Sequence, residues 1–209
     1  MSNLFSGSVN RERQLLESLY RERSLEPYTT GQVIGLPPDE WVIICRGVAQ
    51  LSTFYANGNE AVIGFAGPSM PVGTPLTALD PYQATAMTDV DVLRLSSQEV
   101  EASEVLSQGL LRHTIRRLRQ TEALLALSGR RRVEDRLQHL LGLLAMEIGT
   151  PTPQGVRLNV RLTHQNLANA IGTTRVTITR LINRFRDQGW VSFDQHRHLM
   201  ITFPALFEI

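Results

Sequence analysis

The chain has 209 residues, and 42% of them are hydrophobic, which is enough for one or two domains with a buried core. Its single cysteine, Cys45, excludes an internal disulfide and a multi-cysteine metal cluster, and its apolar neighbours predict a buried thiol. The sequence shows no signal peptide and no apolar run long enough to span a bilayer. We therefore expect a cytoplasmic protein without a membrane partner.

The net charge is only +1, but the charges are unevenly spread along the chain. Residues 1–128 hold 10 Arg and 14 Asp plus Glu, a net charge of −4, whereas residues 129–209 hold 11 Arg and 6 Asp plus Glu, a net charge of +5. A basic C-terminal part suits binding to a polyanion. The sequence has arginine but no lysine, which favours bidentate contacts to phosphate and guanine, although a bias in genomic composition is the simpler explanation.

The N-terminal part of the chain changes its pattern at Leu25. Residues 9–24 mix apolar and charged residues as a short amphipathic helix does. From Leu25 to Leu95, short apolar runs recur between turn residues, which predicts a sandwich or a small barrel of short strands. The pair Asn57-Gly58 between two such runs predicts a β-hairpin.

Residues 97–127 have the pattern of one long helix. One face has the four-and-three spacing of a coiled coil, formed by Leu111, Ile115, Leu118, Glu122 and Leu125. This row of residues, here called the seam, needs a second helix to pack against, so its presence on a single long helix predicts a homodimer. The alternative is a helix that packs only on its own barrel, through a second face of Leu110, Leu124 and Leu127. We expect both faces to be used.

The C-terminal part has the pattern of a winged helix. The pair Ser128-Gly129 ends the long helix and predicts a hinge, and a further helix is expected over residues 133–149. A turn and a strand at residues 156–162 follow. After the helix-turn-helix described next, residues 190–193 and 199–203 are expected to pair as a two-stranded wing.

The stretch Leu162–Phe185 is typical of two short helices around a tight turn. Thr163 is a good N-cap for the first helix, and Gly172 suits the left-handed position that ends it. Either Thr173 or Thr174 caps the second helix. A helix-turn-helix of this kind predicts DNA binding, although an ordinary helical hairpin with solvated arginines has the same pattern.

The second of these helices has one apolar face, formed by Ile178, Leu181, Ile182 and Phe185. On the other face, Arg175 and Arg180 can bind guanine edges with two hydrogen bonds, while Val176 and Thr179 offer methyl groups to thymine. The wing carries a His-x-His pair, for which phosphate contact or simple exposure is preferred over metal binding. The predicted DNA contacts are Thr163, Thr174, Arg175, Val176, Thr179, Arg180, Arg184 and His196.

A barrel, a long dimer helix, a hinge and a winged helix resemble the Crp/Fnr family of bacterial transcription regulators over nearly the whole chain. The most specific match is LTHQNLANAIGTTRVTITRLI, which resembles the helix-turn-helix signature of that family. The stretches RVTITRL and RLRQTEALLALSGRRRVEDRL look most like the branch that contains the cyanobacterial global nitrogen regulator. The resemblance implies an α+β fold: a cyclic-nucleotide-binding-like β-barrel, that is, a double-stranded β-helix, at residues 1–96, a dimerisation helix at 97–128 and a winged helix at 129–209.

The resemblance also implies how the protein works. It gives Arg175, Val176 and Arg180 the base-reading positions. Because Val176 replaces the acidic residue of the cyclic-AMP receptors, a different half-site is expected, and the nitrogen-regulator branch implies one of the GTA/TAC type. The family further implies a homodimeric activator of transcription with double-stranded DNA and RNA polymerase as partners.

The predicted barrel lacks the features that hold a cyclic nucleotide in this family. Such proteins bind the phosphate with a Gly-Glu-Leu turn and a later arginine, whereas here the matching turn is Gly73, Thr74, Pro75 and Leu76, and residues 82–85 contain no arginine. Without a cation, a cyclic phosphate would be poorly held, so control by cyclic AMP is not expected. An iron–sulfur cluster needs several thiolates. No histidine lies convincingly in the barrel to hold a haem, and no cofactor is predicted.

Two residues of the long helix match effector positions. In the nitrogen-regulator branch, an arginine and a glutamate at the positions of Arg117 and Glu122 help to bind 2-oxoglutarate, but the barrel arginine that this branch also uses is absent. We expect Arg117 and Glu122 to keep the coupling position, and residues 73–76 to take a different or weaker acid, or none. The alternative is a plain surface arginine and a seam residue that only sets the register.

Three classes of function remain for comparison. The first is a homodimeric, sequence-specific DNA-binding regulator, and the second is an effector-sensing barrel protein that acts mainly through protein–protein contacts. The third is an enzyme, which is not expected because the sequence shows no nucleophile–base pair, metal-ligand spacing or phosphate-binding glycine loop. A steep salt dependence and a large affinity gap between a palindrome and random DNA would favour the first class over the second.

Overall fold

The structure, a computed structural model, describes residues 23–202. The predicted N-terminal helix of residues 9–24 therefore lies almost wholly outside the described residues. The chain divides into two compact units: unit 1 comprises residues 23–49 and 66–118, and unit 2 comprises residues 50–65 and 119–202. The predicted domain boundaries after residues 96 and 128 stay a prediction.

Short strands occupy the first half of the described chain, and helices most of the second. The strands are β1 (Glu26–Tyr28), β2 (Val33–Ile34), β3 (Glu40–Arg46), β4 (Ala49–Phe54), β5 (Glu60–Ala66), β6 (Pro71–Val72), β7 (Gln83–Ala86), β8 (Val90–Ser96), β9 (Gly149–Thr152), β10 (Gly155–Leu158), β11 (Val191–Phe193) and β12 (Leu199–Ile201). The helices are α1 (Ser97–Ala102), α2 (Glu104–Ser128), α3 (Val133–Ile148), α4 (His164–Ile171) and α5 (Arg175–Asp187), with a 3-10 turn at Thr74–Leu76.

Unit 1 is built around a four-stranded antiparallel sheet in the order β1-β8-β3-β6, and β2 pairs separately with β7. Strand β3 is central, and its residues Val42, Ile43 and Ile44 are fully buried because both faces of the strand are covered. Cys45 packs against the core beside Ile43 but is only half-buried, so the expected burial of its thiol is partial. The core cluster comprises Ile43, Leu93, Leu95, Val100, Leu106 and Leu110.

The long helix predicted over residues 97–127 is in fact two helices, which corrects that prediction. Helix α1 begins with a capping box between Ser96 and Glu99 and ends at Ser103, whose backbone is extended. The Ser103 hydroxyl accepts a hydrogen bond from the Leu106 amide at 3.3 Å, as an N-cap does. Because the Ser103 side chain can cap the start of α2, a break at this residue competes with a continuous helix from α1 into α2.

Helix α2 has the two faces that the sequence predicts. Leu111, Ile115, Leu118 and Leu125 of the predicted seam are 40–72% exposed in the single chain, and Glu122 is exposed between them. On the second face, Leu110 is buried in the core of unit 1 and Leu127 is buried within unit 2. The helix ends at Ser128, where the hinge was predicted.

Unit 2 contains the predicted hairpin and the winged helix. Strands β4 and β5 are joined at Asn57-Gly58, where Gly58 has a positive φ of 81° and its amide donates to the Tyr55 carbonyl at 2.9 Å. The wing strands β11 and β12 continue into β10 and β9 in a four-stranded sheet. The predicted strand at residues 156–162 is shorter, and β9 was missed because Pro151 lowers strand propensity, although an edge strand tolerates proline.

No helix within residues 23–202 is long and apolar enough to cross a membrane.

Candidate DNA-binding interface

The helix-turn-helix of α4 and α5 is fixed by local capping. The Thr163 hydroxyl accepts from the Asn166 amide at 3.1 Å, and the Asn166 side chain accepts from the Thr163 amide at 3.0 Å, so α4 begins with a reciprocal capping box. Gly172 ends α4 in the left-handed conformation, with φ 62° and ψ 55°. Of the two threonines predicted as caps of α5, Thr174 is the cap, since its hydroxyl accepts from the Thr177 amide at 3.2 Å.

Helix α5 separates its residues as predicted. Its apolar face is buried and consists of Ile178, Leu181, Ile182 and Phe185. The opposite side, here called the reading face, consists of Arg175, Val176, Thr179 and Arg180. Val176 is 79% exposed, and Arg175 and Arg180 are also exposed. Because the buried face fixes the rotation of the helix, the reading face presents two guanidinium groups and two methyl-bearing side chains to solvent.

Thr179 differs from the other residues of the reading face because it is half-buried and contacts α4. Its Oγ1 lies 2.8 Å from Nδ1 of His164 and 2.9 Å from the Arg175 carbonyl oxygen. Burial lowers the pKa of His164, and the charge of Arg175 lowers it further. The sequence did not predict this contact between His164 and Thr179, because it depends on how the two helices cross.

Arg184 was predicted to contact DNA, but its guanidinium is engaged within the protein. Nη1 of Arg184 donates to Oε2 of Glu134 in α3 at 2.9 Å. This ion pair ties the reading helix to α3 within unit 2. Thr163 and Thr174, also predicted contacts, are exposed at the N-termini of α4 and α5, where backbone amides favour anions.

The turn of the wing is organised by Asp194. Its carboxylate accepts from the backbone amides of His196 and His198, each at 2.8 Å, and lies 3.1 Å from Nδ1 of His198. The predicted DNA contact His196 is therefore exposed at the tip beside Arg197, which adopts a positive φ of 63°. His198 is directed to Asp194, and among residues 23–202 no three metal-binding side chains cluster.

A further feature of unit 2 is a contact between the β4–β5 hairpin and α4, which the sequence did not predict. Nδ2 of Asn169 donates to Oε2 of Glu60 at 2.8 Å, and Nε2 of Gln50 donates to the other carboxylate oxygen at 2.8 Å. A cavity of about 670 Å³ adjoins this contact, and Leu127 and Arg136 also line it. The hydrogen bonds hold the first helix of the helix-turn-helix against the hairpin.

Of the residues predicted to bind an effector, the turn at residues 73–76 and Arg117 belong to unit 1, and Glu122 belongs to unit 2. Gly73 has φ 144° and starts the 3-10 turn, and a Cβ there would lie 2.5 Å from the Glu40 carbonyl oxygen. Arg117 contacts Tyr82, a contact that the sequence did not predict. Burial raises the pKa of the Tyr82 hydroxyl, and the hydrogen bond with Arg117 opposes this rise.

Comparisons with known proteins agree with this architecture. The Crp-like helix-turn-helix domain family matches residues 124–207. The chain is 36% identical over 164 residues to the regulatory protein CysR of Synechococcus elongatus, covering 77% of this chain and 75% of that protein. It is 30% identical over 186 residues to the global nitrogen regulator of a Nostoc species, covering 83% of each. The nitrogen-regulator resemblance predicted from the sequence is confirmed.

Solved structures give the same result for the fold. A CRP-family transcriptional regulator from Thermus thermophilus has a TM-score of 0.71 at 19% identity, covering 87% of this chain and 94% of that one. A cyclic nucleotide-binding domain containing protein from Listeria monocytogenes has a TM-score of 0.76 at 16% identity, covering 91% and 97%. At these identities the similarity concerns the fold, and it confirms the predicted combination of a cyclic-nucleotide-binding-like barrel and a C-terminal winged helix.

Proposed function

The chain belongs to the Crp/Fnr family of transcription regulators, and from this we propose that it binds a palindromic DNA site as a homodimer through the reading face of α5. The observation that supports this most directly is the reading face itself. Exposed Arg175, Val176 and Arg180 lie opposite four buried apolar residues, so the helix is anchored on one side and open to a DNA groove on the other.

Each residue of the reading face has a distinct proposed role. Arg180 binds a guanine edge with two hydrogen bonds, and Val176 contacts a thymine methyl group. Arg175, in the first turn of α5, binds guanine or phosphate. Thr163 and Thr174, at two helix N-termini, and His196, on the wing, lie where phosphate contacts position the protein without selecting sequence. Arg184 donates to Glu134 through Nη1 alone and its side chain is 55% exposed, so its other N–H groups are proposed to contact phosphate.

The dimer follows from the exposed seam of α2. Four large aliphatic side chains with coiled-coil spacing are exposed on one helix, and a second copy of the same helix would bury them. A two-fold axis along this seam would present two copies of α5 to successive major grooves about 34 Å apart, which is why the site is expected to be a palindrome.

For the sensory region, we propose control by something other than cyclic AMP. The turn at residues 73–76 contains no charged side chain, and the Thr74 hydroxyl donates to the Pro37 carbonyl at 3.1 Å. Arg117 hydrogen-bonds Tyr82, so an acid such as 2-oxoglutarate would bind this arginine beside a tyrosine hydroxyl. Calorimetric titration of 2-oxoglutarate tests whether this acid binds.

The remaining partners follow from the proposed role. The regulator would act with RNA polymerase, in the compartment that holds the DNA, and we assign it no catalytic step. The competing function, an effector sensor that acts mainly through protein–protein contacts, requires no sequence-specific DNA affinity. DNA binding therefore separates the two functions.

The experiment uses a site selected from random DNA and a scrambled site of the same composition. Arg180→Ala should cost about 1–3 kcal/mol of binding free energy on the selected site and relax base choice at one position of each half-site. On the scrambled site the loss should be smaller, because only phosphate attraction remains there. The measurement is a pair of binding curves at several salt concentrations.

Arg186→Ala is the matched control, because Arg186 is an exposed arginine about three turns beyond Arg175 on the same helix. It removes the same charge and should weaken binding equally on both sites. Equal losses for Arg180→Ala on the selected and scrambled sites would rule out base reading by Arg180. If no preferred site emerges from the selection, the protein is not a sequence-specific regulator.

A further inference from the structure

The contact between His164 and Thr179 has a defined hydrogen-bond direction. The Thr179 hydroxyl has one hydrogen and lies within hydrogen-bond distance of two groups, the Arg175 carbonyl at 2.9 Å and Nδ1 of His164 at 2.8 Å. A carbonyl oxygen only accepts, so the hydroxyl donates to Arg175. Nδ1 of His164 must then hold the hydrogen and donate to Thr179.

The charge state of the imidazole agrees with this assignment. Burial and the nearby guanidinium of Arg175 both lower the pKa of His164 below its usual value of 6.5. At neutral pH the ring is therefore uncharged and has one N–H group, which the hydrogen bond to Thr179 places at Nδ1. His164 is thus a donor with a single, fixed direction across the two helices of the helix-turn-helix.

The consequence concerns the methyl group of Thr179. A threonine in a helix has two accessible rotamers, because its hydroxyl can bond to the preceding turn or leave it. Here the hydroxyl is held by Arg175 on its own helix and by His164 on the other, which selects one rotamer. The γ-methyl group is thereby held in one direction, and Thr179 itself belongs to the reading face with Val176 and Arg180.

We propose that His164 is a positioning residue for base recognition, which holds Thr179 so that its methyl group contacts the methyl group of one thymine in each half-site. The inference rests on the proposed function, because it needs a protein that reads DNA through α5. It adds a specificity determinant on α4, outside the reading face. A methyl contact of this kind distinguishes thymine from the other bases in the major groove.

The test measures recognition of the thymine methyl group directly. In the selected site, each thymine is replaced in turn by deoxyuridine, which lacks only that methyl group. For the wild type, deoxyuridine at one position in each half-site should lower the affinity for DNA roughly threefold to fivefold, as the loss of one buried methyl group predicts. This loss should depend on Thr179. Thr179→Ser, which removes the protein methyl group and keeps the hydroxyl, should abolish the deoxyuridine effect at that position.

His164→Ala should reduce the deoxyuridine effect at the same position to below about twofold, since an unheld threonine methyl group loses much of its contact. His164→Asn should restore it, because the asparagine amide can donate from nearly the place of Nδ1. Val176→Ala is the matched control: it removes methyl groups from the same face but leaves the His164–Thr179 hydrogen bond intact, and should not change the effect at this position.

Any one of three outcomes would overturn the inference. The first is that His164→Ala weakens binding to the thymine and deoxyuridine sites equally. The second is that His164→Asn fails to restore discrimination, and the third is that no thymine position depends on Thr179. Thermal unfolding of each variant shows whether it is folded, and Thr179→Ser, the mildest change, tests the methyl contact independently of His164. If the wild type has no preferred DNA site, the proposed function is refuted instead. That result is distinguishable from the three outcomes above, which all require a preferred site.

Discussion

The side chain of Gln120 hydrogen-bonds both backbone groups of Phe65: the Phe65 amide donates to Oε1 at 2.8 Å, and Nε2 donates to the Phe65 carbonyl at 3.0 Å. Gln120 is 2% exposed, so α2 buries a polar side chain at this point. The side-chain amide of Gln120 thus makes the hydrogen bonds that a neighbouring strand would make along β5. It satisfies two backbone groups that water does not reach.

Replacement of Gln120 should therefore be costly. Gln120→Leu keeps most of the volume but leaves the two backbone groups of Phe65 without partners, and we expect it to lower the free energy of unfolding by about 2–5 kcal/mol. Urea unfolding followed by circular dichroism measures this. Gln108→Leu, at an exposed position of the same helix, should change stability by less than about 0.5 kcal/mol. Similar values for the two variants would contradict the assigned role.

The predicted seam of α2 can be tested through the oligomeric state. Leu118 is 57% exposed in the single chain, and Leu118→Glu would place two like charges at a two-fold axis. Sedimentation should show monomers, and affinity for the selected palindrome should fall to that for random DNA. Val105→Glu introduces the same charge at an exposed position of α2 outside the seam and should leave the dimer intact. A dimer that persists in Leu118→Glu would place the interface elsewhere.

Acid stability should depend on Glu99, the residue that closes the capping box of α1. The hydrogen bond from Arg23, followed by those from Ser96, lowers the pKa of Glu99 from 4.5 to about 2. Because the folded chain binds this proton more weakly than the unfolded chain, the carboxylate stabilises the fold above pH 4.5. That contribution is lost as the pH falls from 4.5 to about 2.

Glu99→Gln tests this dependence. The difference in unfolding free energy between wild type and Glu99→Gln should be largest above pH 4.5 and shrink towards pH 2. Glu101→Gln removes a carboxylate from the same helix outside the capping box and controls for the change in net charge. A difference that stays constant across this pH range would show that Glu99 is not titrating in this window.

The parts of the fold that the sequence predicted are those governed by local rules. Thr163, Gly172 and Asn57-Gly58 each occupy a position that only a few residue types suit, and all three were placed correctly. The buried face of α5 followed from helical periodicity alone. The broken helix at Ser103 was missed because a serine inside a helical pattern is only a weak stop signal.

Several contacts that the sequence did not predict join residues distant from each other along the chain. Gln120 has the polarity of a surface residue, and only the position of β5 explains its burial. Arg184 and Glu134, like His164 and Thr179, meet because two helices cross at a particular place. The sequence therefore predicted neither contact, and the DNA contact of Arg184 stays a prediction. Periodicity predicts which face of a helix is buried, but not which side chains meet across an interface.

The two tryptophans of the sequence lie in different units. Trp41 packs against the core of unit 1, and Trp190 lies with its ring centroid 5.3 Å from that of Phe185 in unit 2. Each unit thus has its own intrinsic fluorophore. Trp41→Phe leaves the fluorophore of unit 2 and Trp190→Phe leaves that of unit 1, so the order in which the two units unfold becomes a spectroscopic measurement without any added label.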